Sequence, residues 1–163
     1  MPKQATIDAA KRDKAQGKSA STQAGEFVKE EMDKIRSGET GARNTKQAIA
    51  IGLSEARRSG VDLKAPAAGK TSGKTRKSAE SALEKGRRHE PVDATRSRAR
   101  EKAMKKEPHA AASPAALSKQ ARTAAQQRTA ADRSASAKKA ARTKGPSVRS
   151  SAAKKAAKTR GQS

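Results

Sequence analysis

The sequence has no cysteine, tryptophan or tyrosine, and its one aromatic residue is Phe27. Without cysteine there is no disulfide framework, no zinc ribbon and no thiol chemistry. Near-absence of aromatics removes the rings on which single-stranded bases stack, which disfavours single-strand binders and RNA-reading sheets. Acidic residues are few as well: 16 Asp and Glu stand against 39 Lys and Arg, a formal net charge of +23. No stretch approaches the apolar length of a membrane span. The opening MPKQATIDAAKRDKAQGKSA has no apolar segment of the secretory kind. These two absences predict a cytoplasmic protein with no membrane partner.

What is present is positive charge. A chain this basic repels itself when compact and favours a polyanion as partner. DNA is the densest common polyanion, and each neutralised phosphate releases condensed counterions without any base being read. Apolar residues make up 32% of the chain and are mostly Ala. Low hydrophobicity with high net charge predicts a largely disordered chain with a small core at most.

The charge is uneven. Residues 1–66 hold 13 Lys/Arg and 9 Asp/Glu, net +4, whereas residues 67–163 hold 26 and 7, net +19. Arg133–Ser163 has 10 basic residues and no acidic one. This asymmetry predicts a nearly balanced folded part, residues 22–63, followed by a basic arm.

In the first half of that part, TQAGEFVKEEMDKIRSG, Phe27, Val28, Met32 and Ile35 fall near one helical face. Gly38 suits a left-handed stop. In the second half, NTKQAIAIGLSEARRSGVDL, Ile49, Leu53 and Ala56 form an apolar stripe, Asn44 or Thr45 suits the cap, and Gly60 the end. The expectation is an all-α protein: a small helical hairpin with largely disordered, conditionally helical basic flanks. Alone the hairpin would be marginal, and it would gain from self-association or from DNA contacts.

The flanks divide into a basic N-terminal arm (1–21), a Pro/Gly-containing linker (64–74), an Ala-rich conditionally helical region (75–132) and a disordered Lys/Ala-rich tail (133–163). Ser81–Glu84 reads as a capping box, Thr95–Lys106 as a basic segment stopped by Pro108, and Ser113–Pro114 as a helix start. The tail repeats AKKAA at 137–141 and 153–157. Its composition resembles the Lys/Ala-rich tails of linker histones and histone-like bacterial proteins, which implies phosphate neutralisation without a fixed fold.

Other motifs carry no chemistry. Gly69–Lys70–Thr71 and Gly73–Lys74–Thr75 copy the end of a P-loop but lack its leading glycine and preceding strand. His89 and His109 have no metal-ligand spacing. The acidic residues mostly neighbour Lys or Arg, as helix partners do. No catalytic residues, metal or cofactor are expected, and the protein reads as a non-enzyme.

Residues 26–60, EFVKEEMDKIRSGETGARNTKQAIAIGLSEARRSG, and 95–125, TRSRAREKAMKKEPHAAASPAALSKQARTAA, resemble two blocks of a family of small basic bacterial proteins. KQAIAIGLSEAR is the most distinctive piece. The family's members are labelled uncharacterised, DNA-binding or plasmid-stabilisation proteins, and the resemblance implies DNA binding without an established reaction.

The sequence thus points to a nucleoid-associated, histone-like binder of duplex DNA. Lys138, Lys139, Arg142, Lys144, Lys154, Lys155, Lys158 and Arg160 would carry bulk affinity. Arg96, Arg98, Arg100, Lys102, Lys105 and Lys106 would form a second patch. A sequence-reading role for the Thr45–Ser59 helix would use exposed Lys46, Gln47, Arg57 and Arg58. Two alternatives compete: an adaptor or plasmid-maintenance accessory whose hairpin docks a protein partner, and a ribosome- or RNA-associated basic protein.

Overall fold

The computed structural model describes residues 2–160, apart from the side chain of Lys144. Every regular element among them is helical: α1 (Gln4–Ala15), α2 (Ala20–Arg36), α3 (Thr45–Arg58), α4 (Gly73–Arg87), α5 (Ala94–Met104), a 3-10 turn (Ala110–Ala112), α6 (Pro114–Gln126) and α7 (Ala130–Arg160). The chain is all-α, as expected, but its flanks are helices rather than disordered arms. They divide between two packed units, residues 1–120 and 121–163.

The hairpin of α2 and α3 forms where the apolar spacing puts it. Asn44 Oδ1 accepts the Gln47 N–H at 3.0 Å and caps α3. Gly38 and Gly60 follow the two helix ends at φ 77° and 88°, the left-handed turn that suits glycine. The helices pass close together at Gly52, where a Cβ would lie 2.7 Å from Val28 Cα. No larger residue fits there without separating the pair.

Two apolar clusters fill the first unit. Met32, Ile35, Ala42 and Ala48, with Val28 and Ile49, pack against Ala111, Ala112 and Leu117. Phe27, Ala24 and Ala56, with Leu53, pack against Ile7, Ala10, Val61 and Leu63. Of the seven expected core residues, Phe27, Met32, Ile35 and Ala56 are buried, and Val28, Ile49 and Leu53 pack partly buried against them. Its cover comes from within the chain, from α1 on one side and residues 110–117 on the other. A hairpin that is marginal alone gains this burial without a second copy or DNA.

Three expectations are corrected here. The N-terminal arm contains α1, which docks on α2 through Ile7 and Ala10, and the Lys3 N–H bonds both Glu30 carboxylate oxygens at 2.9 and 3.2 Å. In the expected linker and Ala-rich region, α4 starts at Gly73, capped by Ser72 Oγ, which accepts the Thr75 N–H at 3.2 Å. Ser81, read as a cap, therefore sits inside the helix. Gly86 brings α4 onto the backbone of Arg57 and Arg58 at the end of α3. The tail is corrected as well: residues 130–160 are helical, broken at Gly145 (φ 69°, ψ 169°). The α7 side chains are exposed almost throughout, so this helix rests on the propensity of Ala, Lys and Arg rather than on burial.

Candidate nucleic-acid interface

The α5 helix carries the first group of cations, and the sequence around it explains its placement. Asp93 caps its start, its Oδ1 accepting the Arg96 N–H at 2.9 Å. Pro108 follows its end, as expected. Beyond that end the chain is latched to residues 36–45. The Gly41 N–H donates to Met104 O and the Ala42 N–H to Pro108 O, both at 3.0 Å. Thr45 Oγ1 donates to Ala111 O at 2.7 Å and Arg36 Nε to Ala112 O at 3.2 Å. His109 Nδ1 lies 2.9 Å from Thr40 O, and Arg43 pairs with Glu107 at 3.5 Å. Gly41 is required at this crossing, because a Cβ there would run into the Glu107 carbonyl. The latch ties residues 36–45 of the first block to residues 104–112 of the second.

At about 100° per residue, the four cations of α5 and the two that follow it, Lys105 and Lys106, divide between two faces. Arg98, Lys102, Lys105 and Lys106 gather on an exposed outer face. The nearby carboxylates are engaged: Glu101 by Lys105 at 3.0 Å and Glu107 by Arg43. Arg96 and Arg100 turn the other way, into a cleft of about 530 Å³ shared with Arg58 and Lys85. Three of the four cations in that cleft meet an acid. Arg100 meets Glu55 at 3.5 Å, Arg96 meets Asp93 at 4.0 Å and Lys85 meets Glu90 at 3.2 Å. The outer face is therefore the cationic one, and the expected patch of six is divided four and two.

Beneath α5 lies a buried charged group that spacing along the chain did not reveal. Glu30 and Lys34 form an ion pair at 2.7 Å, both more than nine-tenths buried. Burial pushes the Glu30 carboxyl up, but Lys34, the Thr6 hydroxyl and the Lys3 N–H outweigh it and leave the pKa below the ordinary value. Burial likewise opposes the Lys34 charge, and Glu30, Glu55 and Glu31 together raise its pKa. Glu31 differs: burial, then the neighbouring Glu55, pushes its carboxyl above the usual range. One oxygen of Glu31 and one of Glu55 have no hydrogen-bond partner among the described residues. The Glu55 side chain, which anchors Arg100, comes from α3, and only the tertiary fold brings it to α5.

The α3 recognition surface is not as expected. Arg57 is 6% exposed, not solvent-facing. Its guanidinium donates to Leu63 O at 2.9 Å, Lys64 O at 3.2 Å and Leu53 O at 3.4 Å, tying down the chain that leaves α3. Burial pushes its pKa down. Arg58 and Gln47 are half-buried, and Lys46 is exposed. With α2 and α4 packed against it and Arg57 turned inward, α3 has little left to offer a groove.

In α7, Lys138, Lys139, Arg142, Lys154, Lys155, Lys158 and Arg160 are all exposed. The Lys144 side chain lies outside the described residues. No acidic residue follows Asp132 anywhere in the sequence. Among the described residues no three His, Asp or Glu side chains gather as a metal site. No helix among them is long and apolar enough to cross a membrane.

Residues 11–67 match the model of a family described as a family of unknown function (DUF6496). The match takes in the whole of α2 and α3 and stops before α4. No curated protein and no solved structure matches the chain.

Proposed function

We propose that the protein binds duplex DNA without sequence selection, by neutralising phosphates, in the manner of a nucleoid-associated, histone-like protein. The observation that carries this reading is the set of exposed cations on α7, in a segment where ten basic residues follow Asp132 with no acid among them. The outer face of α5 adds Arg98, Lys102, Lys105 and Lys106. Such surfaces gain affinity from counterion release, which any duplex sequence supplies equally. The near-absence of aromatic side chains argues for backbone contact over base stacking.

The adaptor alternative draws less support. It needs an apolar hairpin face for a partner, and α1 and residues 110–117 cover those faces. The one large apolar side chain well exposed among the described residues is Val148, which belongs to α7.

The test is the affinity for a random-sequence duplex across a salt series, with structured RNA of equal length as competitor. The expected result is a steep linear fall of log K with log salt, no sequence preference, and duplex retained against RNA. A flat slope would refute phosphate neutralisation. Ready displacement by RNA would move the function to an RNA-associated protein.

A further inference from the structure

The repeat in α7 is longer than AKKAA. Residues 133–144, RSASAKKAARTK, align with 149–160, RSSAAKKAAKTR, at an offset of 16. Eight of the twelve positions are identical, and the other four are two Ala/Ser and two Lys/Arg exchanges. Every charge in one copy therefore has a counterpart in the other. The structure repeats too. Thr143 Oγ1 donates to Lys139 O at 2.9 Å, and the equivalent Thr159 Oγ1 donates to Lys155 O at 3.0 Å.

Within each copy three cations share one side of the helix. Lys138, Lys139 and Arg142 span about 100° of its circumference, and so do Lys154, Lys155 and Lys158. On an uninterrupted helix an offset of 16 residues turns a face by about 160° and advances it by about 24 Å. The two ridges would then look in nearly opposite directions, and a straight rod could lay only one of them on a given duplex.

The chain is broken at the seam between the copies. Gly145 has φ 69° and ψ 169°, outside the helical region. Nothing crowds its missing Cβ, so what calls for glycine there is the backbone turn and not the space. Pro146 follows, with a ring that suits the first position of a new helix. These are the only Gly and Pro between Ala130 and Arg160. A break at that place allows the second ridge to be re-aimed.

Building on the duplex-DNA reading, we infer that residues 133–160 form two equivalent phosphate-binding modules, hinged at Gly145–Pro146 so that both ridges engage one duplex. The test uses the full chain and three variants. The first replaces Lys138, Lys139 and Arg142 with Gln, and the second replaces Lys154, Lys155 and Lys158 with Gln. The third, Gly145→Ala with Pro146→Ala, straightens the helix without removing charge, which far-UV circular dichroism checks.

Each charge variant loses about three units of log–log salt slope, and the two losses are equal. The straightened variant loses a similar amount on a single duplex. It also brings together donor- and acceptor-labelled duplexes, which the parent does not. Unequal losses between the charge variants would overturn the equivalence of the modules. A straightened variant with the parent's slope, or a parent that itself pairs duplexes, would overturn the hinge while leaving DNA binding intact. A parent with no salt-dependent duplex affinity would overturn the underlying reading and this inference with it.

Discussion

Glu31 is 2% exposed and has a carboxylate oxygen without a partner among the described residues, in a chain that otherwise has cations to spare. Burial and then Glu55 raise its pKa above 4.5, with Lys34 and Arg100 opposing. The folded state therefore holds this proton more tightly than the unfolded chain does. Below the ordinary glutamate value both states are protonated and nothing is lost. As pH rises from there through the raised value, the folded state gives up stability. Glu31→Gln removes that loss and replaces an acceptor with an amide that can donate. Glu30 works in the opposite direction: its lowered pKa contributes stability above the ordinary value, lost as pH falls through the folded one. The Gln variant should be more stable than the parent at neutral pH by about 1–3 kcal/mol, the usual cost of a buried unsatisfied group. The gap should close towards mildly acidic pH. Thermal unfolding across that range checks it, and an unchanged or lower Tm at neutral pH would refute it.

At the scale of elements, the latch predicts that α5 can be loosened apart from the hairpin. Gly41→Ala puts a methyl group into the Glu107 carbonyl, so residues 39–42 and the end of α5 must separate. The Gly41–Met104 and Ala42–Pro108 hydrogen bonds are the first affected. The expected cost is about 1–3 kcal/mol, as for overpacking at a tight contact. Amides of residues 94–104 should exchange faster while those of α2 and α3 keep their protection. Uniform loss of protection across all helices would contradict a local latch.

The same elements show what was legible in advance. The hairpin was readable because Phe27, Ile35, Ile49 and Leu53 are large enough to mark a face. Asn44, Gly38 and Gly60 marked its ends. The α1 and α4 helices were marked only weakly, because apart from Asp13 their buried positions are Ala10, Ala79, Ala82 and Gly86, and small residues carry close packing with almost no hydrophobic signal. Ala111 and Ala112 hid the 3-10 turn in the same way. The cations of α5 could be counted from the sequence. Their division between an outer face and the cleft could not, since Glu55, which claims Arg100, is brought there by tertiary contact.

For the whole molecule, the apolar core lies in the first unit, while the tail carries cations without acids. Both apolar clusters draw only on residues up to Leu117. Deleting Arg133–Ser163 removes ten basic residues and no acidic one, taking the formal charge from +23 to +13. No side chain of either cluster is lost, so the midpoint of thermal unfolding should stay where it is. Binding should change sharply. At about 0.9 per phosphate contact, the salt slope should fall by up to about nine, leaving a remainder of about three to four from the outer face of α5. Arg98, Lys102, Lys105 and Lys106 account for that remainder, so replacing them with Gln in the shortened chain should flatten the slope. A shortened chain that keeps most of the parent's slope would place the phosphate contacts on the first unit. One that unfolds at a lower temperature would show that α7 supports the core, against the exposure of its side chains.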